Sequence, residues 1–364
     1  MPLLAIRRIV KWLQVAGVIA LAVLAAACNE QQPQAPQSDA LPHLKARIDQ
    51  TSVSGISSGA YMAGQFQMAH AKIVTGAAII AGGPYGCSES IYADAMPGPG
   101  SAIINLTKAL NGCMQNKLGP WGAADPVDLA TKAKGRAAKG EIDPIADVVS
   151  DKVYLFSGSS DQIIVEPIVE AAADFYRQLG VPAANIKFVK NLPAGHAFVT
   201  DDQGGACERS GEPYVVNCHY DQAGELLHHI YGTLQPRSET PSGEYFEFNQ
   251  RAFGQGSIVD GLADHGVVYI PKSCREHEGC KIHVAFHGCA QNKAQVGDAF
   301  IRSTGFARWA DSNNLIVLFP QTATMAFNPQ GCWDWWGYSS HDYLTREAPQ
   351  IVAVRHMLDA LASP

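Results

Sequence analysis

The stretch Thr51–Phe66, "TSVSGISSGAYMAGQF", decides how this chain is read. It starts small and strand-like and turns helical, and at the junction Gly55-Ile56-Ser57-Ser58-Gly59 fits the pattern G-x-S-x-G. In a nucleophile elbow a serine occupies a sharp strand-to-helix turn, and glycines on both sides let strand and helix approach closely enough to expose its hydroxyl. Clusters of glycine and serine also make ordinary loops. Ser57 is therefore expected to be a nucleophile only if the rest of the chain supplies a sheet, a base and an acid.

The sheet is legible. Short apolar, β-branched runs recur as "KIVTGAAIIAG", "KVYLFSG", "IKFVKN", "GVVYIPKS", "KIHVAFHG" and "NLIVLFPQ", each closed by Gly, Ser, Pro or Asn. Runs apolar nearly throughout are strands buried on both faces, as in a mostly parallel sheet covered by helices. Helical patterns lie between them, including Glu166–Gly180 with a glycine suited to its C-cap and "REAPQIVAVRHMLDALA" at the end. Gly205 to Phe253 breaks the alternation and reads as one helix at "AGELLHHIYG" plus irregular excursions. The expected fold is a single α/β domain over residues 45–364.

The 364 residues are 47% hydrophobic and 17% charged, with net charge -7, enough for a sizeable core. The acidic balance argues against nucleic acid, which calls for a basic face. Arg7, Arg8 and Lys11 precede an apolar run from Trp12 to Ala27 that ends in small residues, the pattern of a secretory signal over 1–27. Residues 28–44 then read as a flexible tether. Nine cysteines are an odd number for an exported chain. "VLAAACNE" resembles a bacterial lipobox, with Ala25 where leucine is usual, and lipidation of Cys28 leaves an even set. The chain is thus expected to be a periplasmic or cell-surface monomer, touching membrane only through that anchor. The expected disulfides are the neighbours Cys274–Cys280 and Cys207–Cys218, then Cys87–Cys113 and Cys289–Cys332.

A serine nucleophile needs an imidazole to take its proton and a carboxylate to orient that imidazole. On an α/β-hydrolase sheet they follow in the order serine, acid, histidine. "SGSSDQIIVEP" places Asp161 in the loop after one strand, and "NLPAGHAFVTDD" places His196 after the next. Asp201 and Asp202 lie past the histidine and read as solvated turn residues. An oxyanion hole takes the amide after the nucleophile and one from a loop that ordinarily precedes the elbow. Here such a loop, His287-Gly288-Cys289, comes late, as if the domain were cut before the elbow strand and its old ends joined. Circular permutation is tolerated where termini lie close together. Ser58 and Cys289 are then the two donors, and His287 shapes the loop. Cys274, Cys280, His283, His287 and Cys289 match no closed zinc pattern, so no metal and no cofactor is expected. Trp333, Trp335, Trp336 and Tyr338 crowd "NPQGCWDWWGYSS" and read as a wall for an apolar substrate.

"SVSGISSGAYMAGQF", "FHGCAQNKAQVGDAFIRSTGFARWADSNNLIVLFPQT" and "NPQGCWDWWG" resemble the esterase/poly(3-hydroxybutyrate) depolymerase family of circularly permuted α/β-hydrolases. "PYVVNCHYDQAGELLHHIYG" resembles these depolymerases more than the feruloyl and acetylxylan esterases that share the HGC and GCW elements. The resemblance runs from Arg47 to Pro364. It implies Ser57, Asp161 and His196 as triad, Ser58 and Cys289 as oxyanion donors, Trp333 as a substrate contact, and a 3-hydroxybutyrate polyester or oligomer as substrate. The lipobox-like start is not general in that family, which favours short or amorphous chains. A carbohydrate-linked esterase and an anchored, non-catalytic polyester-binding protein are the alternatives.

Overall fold

An alternation of strands and helices closes into one eight-stranded sheet. Its strands are β1 (Thr51–Ile56), β2 (Val74–Ile80), β3 (Lys152–Phe156), β4 (Ile186–Val189), β8 (Glu244–Asn249), β9 (His265–Ile270), β10 (Lys281–Phe286) and β11 (Leu315–Phe319). They lie side by side in the order β4-β3-β2-β1-β10-β11-β9-β8. The computed structural model describes residues 40–90, 110–116, 124–254 and 260–364. Strand β9 runs antiparallel to both its neighbours, and every other pairing in this sheet is parallel. Each apolar run singled out in the sequence is one of these strands.

From β8 inward, the sheet presents the later strands of the chain first and then β1 to β4, which is the permutation expected from the displaced HGC loop. The ends support it. The Leu44 and Ala46 amides both donate to Leu361 O at 3.1 Å, and Lys45 N donates to Ser363 O at 3.1 Å. The helix Pro349–Ala362 therefore ends beside the segment that leads into β1, so the order could be cut there without moving either element.

Two layers cover the sheet. On one face the helix Ser58–Ala69 packs Phe66 against Phe286 of β10, with ring centroids 6.4 Å apart. Side chains alternate along a strand, so His283 of β10 points to the other face, where Phe306 lies against it at 4.8 Å. His283 is fully buried between Ser52 Oγ at 2.6 Å and Ser54 Oγ at 2.8 Å, and the Tyr231 hydroxyl donates to Ser52 Oγ. Burial pushes its pKa down to about 3. It is a neutral, satisfied core histidine.

Glu166–Leu179 forms the expected helix and ends on Gly180 at φ 97°. Three expectations change. "EYFEFN" is an edge strand, β8, paired antiparallel with β9; only Phe248 in it is buried. The expected helix in that region is present over Gln222–Tyr231, but β6 (Gly205–Ala206) and β7 (Val215–Asn217) join β5 (Phe198–Thr200) in a second sheet. The stretch taken for tether also ends early, since Leu41 is buried and Leu44 is bonded to the last helix. The signal segment and Cys28 lie outside the described residues.

Candidate active site

Ser57 stands at the C-terminal end of β1, at φ 57° and ψ -123°, a conformation L-residues avoid. The glycines explain how the turn is reached. A Cβ at Gly55 would overlap the Gly59 carbonyl, and one at Gly59 would overlap the carbonyls of Phe286 and His287. Elbow, helix and β10 therefore close together only because both positions lack side chains. Ser57 is the N-cap of Ser58–Ala69, yet its side chain makes no capping bond. Its hydroxyl is left for other work.

The loops after β3 and β4 carry Asp161 and His196, the acid and base the sequence reading expects. His196 Nδ1 lies 2.8 Å from Asp161 Oδ2. The other carboxylate oxygen of Asp161 accepts the amides of Ile163 at 2.8 Å and Ile164 at 3.0 Å. With the carboxylate so held, the His196 proton sits on Nδ1 and leaves Nε2 as an acceptor. Both residues are buried. No hydrogen bond joins Ser57 Oγ to His196 among the described residues; in substrate-free sites such bonds are often long and tighten on binding. The excursion after β4 contributes a residue the sequence reading missed, Ser210, whose Oγ accepts the His196 amide at 2.8 Å. The Cys207–Cys218 disulfide and the Gly195 N bond to Cys207 O brace that same loop. Asp201 and Asp202 are not free in solvent: they pair with Arg237 at 2.6 Å and Arg308 at 2.7 Å.

Strands β1 and β10 are parallel neighbours, so the loop after β10 lies at the same sheet edge as Ser57. The Cys289 N–H has no acceptor among the described residues. Ser58 is the first residue of its helix, where amides lack intrahelical acceptors. Side chains of the loop itself hold the peptides leading to Cys289. His287 Nδ1 donates to Gly288 O at 2.7 Å while its Nε2 accepts the Thr322 amide at 3.2 Å. Burial lowers the His287 pKa to about 4, so it is a neutral loop-former, as expected, and no base. Gln291 Oε1 accepts the Gly288 amide at 3.1 Å. The disulfides are Cys87–Cys113, Cys207–Cys218, Cys274–Cys280 and Cys289–Cys332, the four expected pairs. With three of the cysteines of the zinc reading bonded in this way, no group of three metal-capable side chains is found among the described residues.

The aromatic segment departs most from expectation. Trp333 is 0% exposed, edge-on to Phe286 at 5.0 Å and tilted on His287 at 5.6 Å. It lies beneath the loop rather than along an open wall, so a direct substrate contact does not fit its burial. Trp335 and Trp336 are also buried, Trp335 stacked on Tyr61 with centroids 4.3 Å apart. Asp334 organises the segment by accepting the amides of Gly337, Tyr338 and Ser339 and the Ser339 hydroxyl. Burial raises the pKa of Asp334, against those four bonds.

The chain is 40% identical over 328 residues to a poly(3-hydroxybutyrate) depolymerase of Delftia acidovorans, covering 89% of this chain and 62% of that one. It is 34% identical over 320 residues to a polyhydroxybutyrate depolymerase of Talaromyces funiculosus, covering 82% of this chain and 85% of that protein. Two solved structures are similar at 31% identity, each covering 89% of this chain and 98% of the other. One is a PHB depolymerase complexed with R3HB trimer, TM-score 0.76, and the other a PHB depolymerase from Penicillium funiculosum, TM-score 0.75. No family model matches.

Proposed function

The chain belongs to the polyhydroxybutyrate depolymerase family, and we propose that it is a cofactor-free serine esterase cleaving 3-hydroxybutyrate polyester or its oligomers. The observation that carries this reading is the strained serine, Ser57, at the same sheet edge as a buried, hydrogen-bonded Asp161–His196 pair. In the proposed mechanism His196 Nε2 takes the proton of Ser57 Oγ as the hydroxyl attacks the ester carbonyl. The amides of Ser58 and Cys289 receive the developing oxyanion. His196 then protonates the leaving alkoxide, and water activated by the same nitrogen releases the acid from Ser57. Asp161 holds the tautomer throughout.

Incubation with an (R)-3-hydroxybutyrate trimer tests this reading directly. Release of 3-hydroxybutyrate, with a serine-directed phosphonate labelling Ser57 alone, is the expected result. An inert trimer, or labelling elsewhere, refutes it.

Four disulfides are the chemistry of an oxidising compartment, and the protein is exported. We further propose that Cys28 carries the lipid anchor, which the odd number of cysteines supports. One acyl chain binds membrane only marginally, so stable attachment takes two or more. Mass spectrometry of the N-terminal peptide decides it, and an unmodified Cys28 in soluble protein removes the anchor.

A further inference from the structure

Gln291 carries a buried donor without an acceptor. The residue is 2% exposed, and its Nε2 has no partner among the described residues. Turning the carboxamide over does not relieve this. Oε1 accepts the Gly288 N–H, and a flipped group would set N–H against N–H. The bond to Gly288 therefore fixes which end is the free donor.

That donor sits beside the nucleophile. A Cβ built on Gly288 would lie 2.7 Å from Gln291 Nε2 and 3.1 Å from Ser57 Cβ, so only the bare face of Gly288 separates the amide from the serine. The next residue, Cys289, presents its own unpartnered N–H. One short turn beside Ser57 thus carries two unsatisfied donors. An oligoester suits such a site, because each repeat offers carbonyl and alkoxy oxygens and its only hydroxyl is terminal. A donor aimed where charge develops also acts most strongly in the transition state.

We propose that Gln291 is a further catalytic residue, whose Nε2 donates to the carbonyl oxygen of the scissile ester together with the Ser58 and Cys289 amides. The inference rests on the reading of Ser57 as an ester nucleophile. The competing account gives Gln291 only the task of holding Gly288 through Oε1.

Gln291→Glu tests the proposal, since it keeps an oxygen for the Gly288 amide and, when ionised, has no donor and adds a charge that opposes the oxyanion. Turnover of p-nitrophenyl butyrate by this variant should fall about 10²-fold in kcat at pH 8, with KM little changed; burying an ionised carboxylate should also lower the melting temperature. As pH falls, the ratio of variant to wild-type kcat should rise, because a protonated carboxyl loses its charge and regains a donor. A variant within about threefold of wild type at every pH overturns the proposal. If Gln291→Glu fails to fold, the side-chain amide of Gln291 is followed by NMR in wild-type protein labelled with 15N-glutamine. Its resonances should move when Ser57 is phosphonylated, and unmoved resonances overturn the proposal. Loss of activity in Ser57→Ala alongside full activity in Gln291→Glu sinks this inference and leaves the esterase reading standing. An active Ser57→Ala sinks the esterase reading itself.

Discussion

Removing the Cys289–Cys332 disulfide should cost far more stability than catalysis. The perturbation is the double change Cys289→Ser and Cys332→Ser, which leaves no unpaired thiol and keeps the Cys289 backbone amide. The bond closes a sequence separation of 43 residues. Loop-closure entropy puts its stabilisation at about 4 kcal/mol, which corresponds to roughly 6 °C in melting temperature for a domain of this size. Losing an oxyanion donor outright costs about 10²–10³ in kcat. The structure argues for much less here, because three other bonds hold the turn. Ala290 N donates to Gln330 O at 2.7 Å, His287 Nδ1 donates to Gly288 O at 2.7 Å, and Gly288 N donates to Gln291 Oε1 at 3.1 Å. The first ties the loop to the Cys332 segment one residue from Cys289 and two from Cys332, and the other two orient the peptides before Cys289. The expected result is a lower melting temperature and a loss of less than about tenfold in kcat on p-nitrophenyl butyrate at 25 °C. A folded variant that loses about 10²-fold or more would show that the disulfide alone aims the amide. An unmoved melting temperature would refute the stability argument.

Ser57→Ala should lower kcat by about 10⁴ or more. Ser57→Gly should be equally inactive but more stable than Ser57→Ala by about 1–3 kcal/mol in thermal or urea unfolding, since glycine relieves the strain at φ 57° and ψ -123°. Asp334→Ala removes the acceptor of four hydrogen bonds from the aromatic segment and should destabilise by about 3 kcal/mol or more, with Trp335 and Trp336 fluorescence shifting red as they meet water. Asp151 has its pKa pushed up to about 8 by burial, opposed by a 2.7 Å bond from Gln67 Nε2. A carboxyl raised on folding contributes stability that is fully present below its unfolded pKa near 4 and is lost as pH rises through 8. Melting temperature should therefore fall across pH 4–8 in the wild type and fall less in Asp151→Asn; parallel curves would refute this.

The residues that determine local geometry are legible in the sequence itself. The elbow at Ser57, the stop at Gly180 and the buried strands depend on turn chemistry and side-chain periodicity, which act over a few neighbours. The order Ser57, Asp161, His196 followed by a late HGC loop is also enough to expect the permuted connection, since chain order is itself sequence information. What stays hidden there depends on partners far along the chain. The edge strand β8 mixes aromatic and polar residues without a clear period, and only its pairing with β9 separates it from an irregular excursion. A tryptophan among glycines and serines looks the same whether it lines a groove or, like Trp333, lies under Phe286 and His287. The spacing around His283 argues against a ligand, but only folding sets Ser52 and Ser54, 231 and 229 residues away, against its two nitrogens. The free donor of Gln291 is invisible in a sequence for the same reason. Which end of a carboxamide is satisfied, and what the other end faces, is decided by packing across the sheet, where the hydrophobic effect brings together segments that share no local signal.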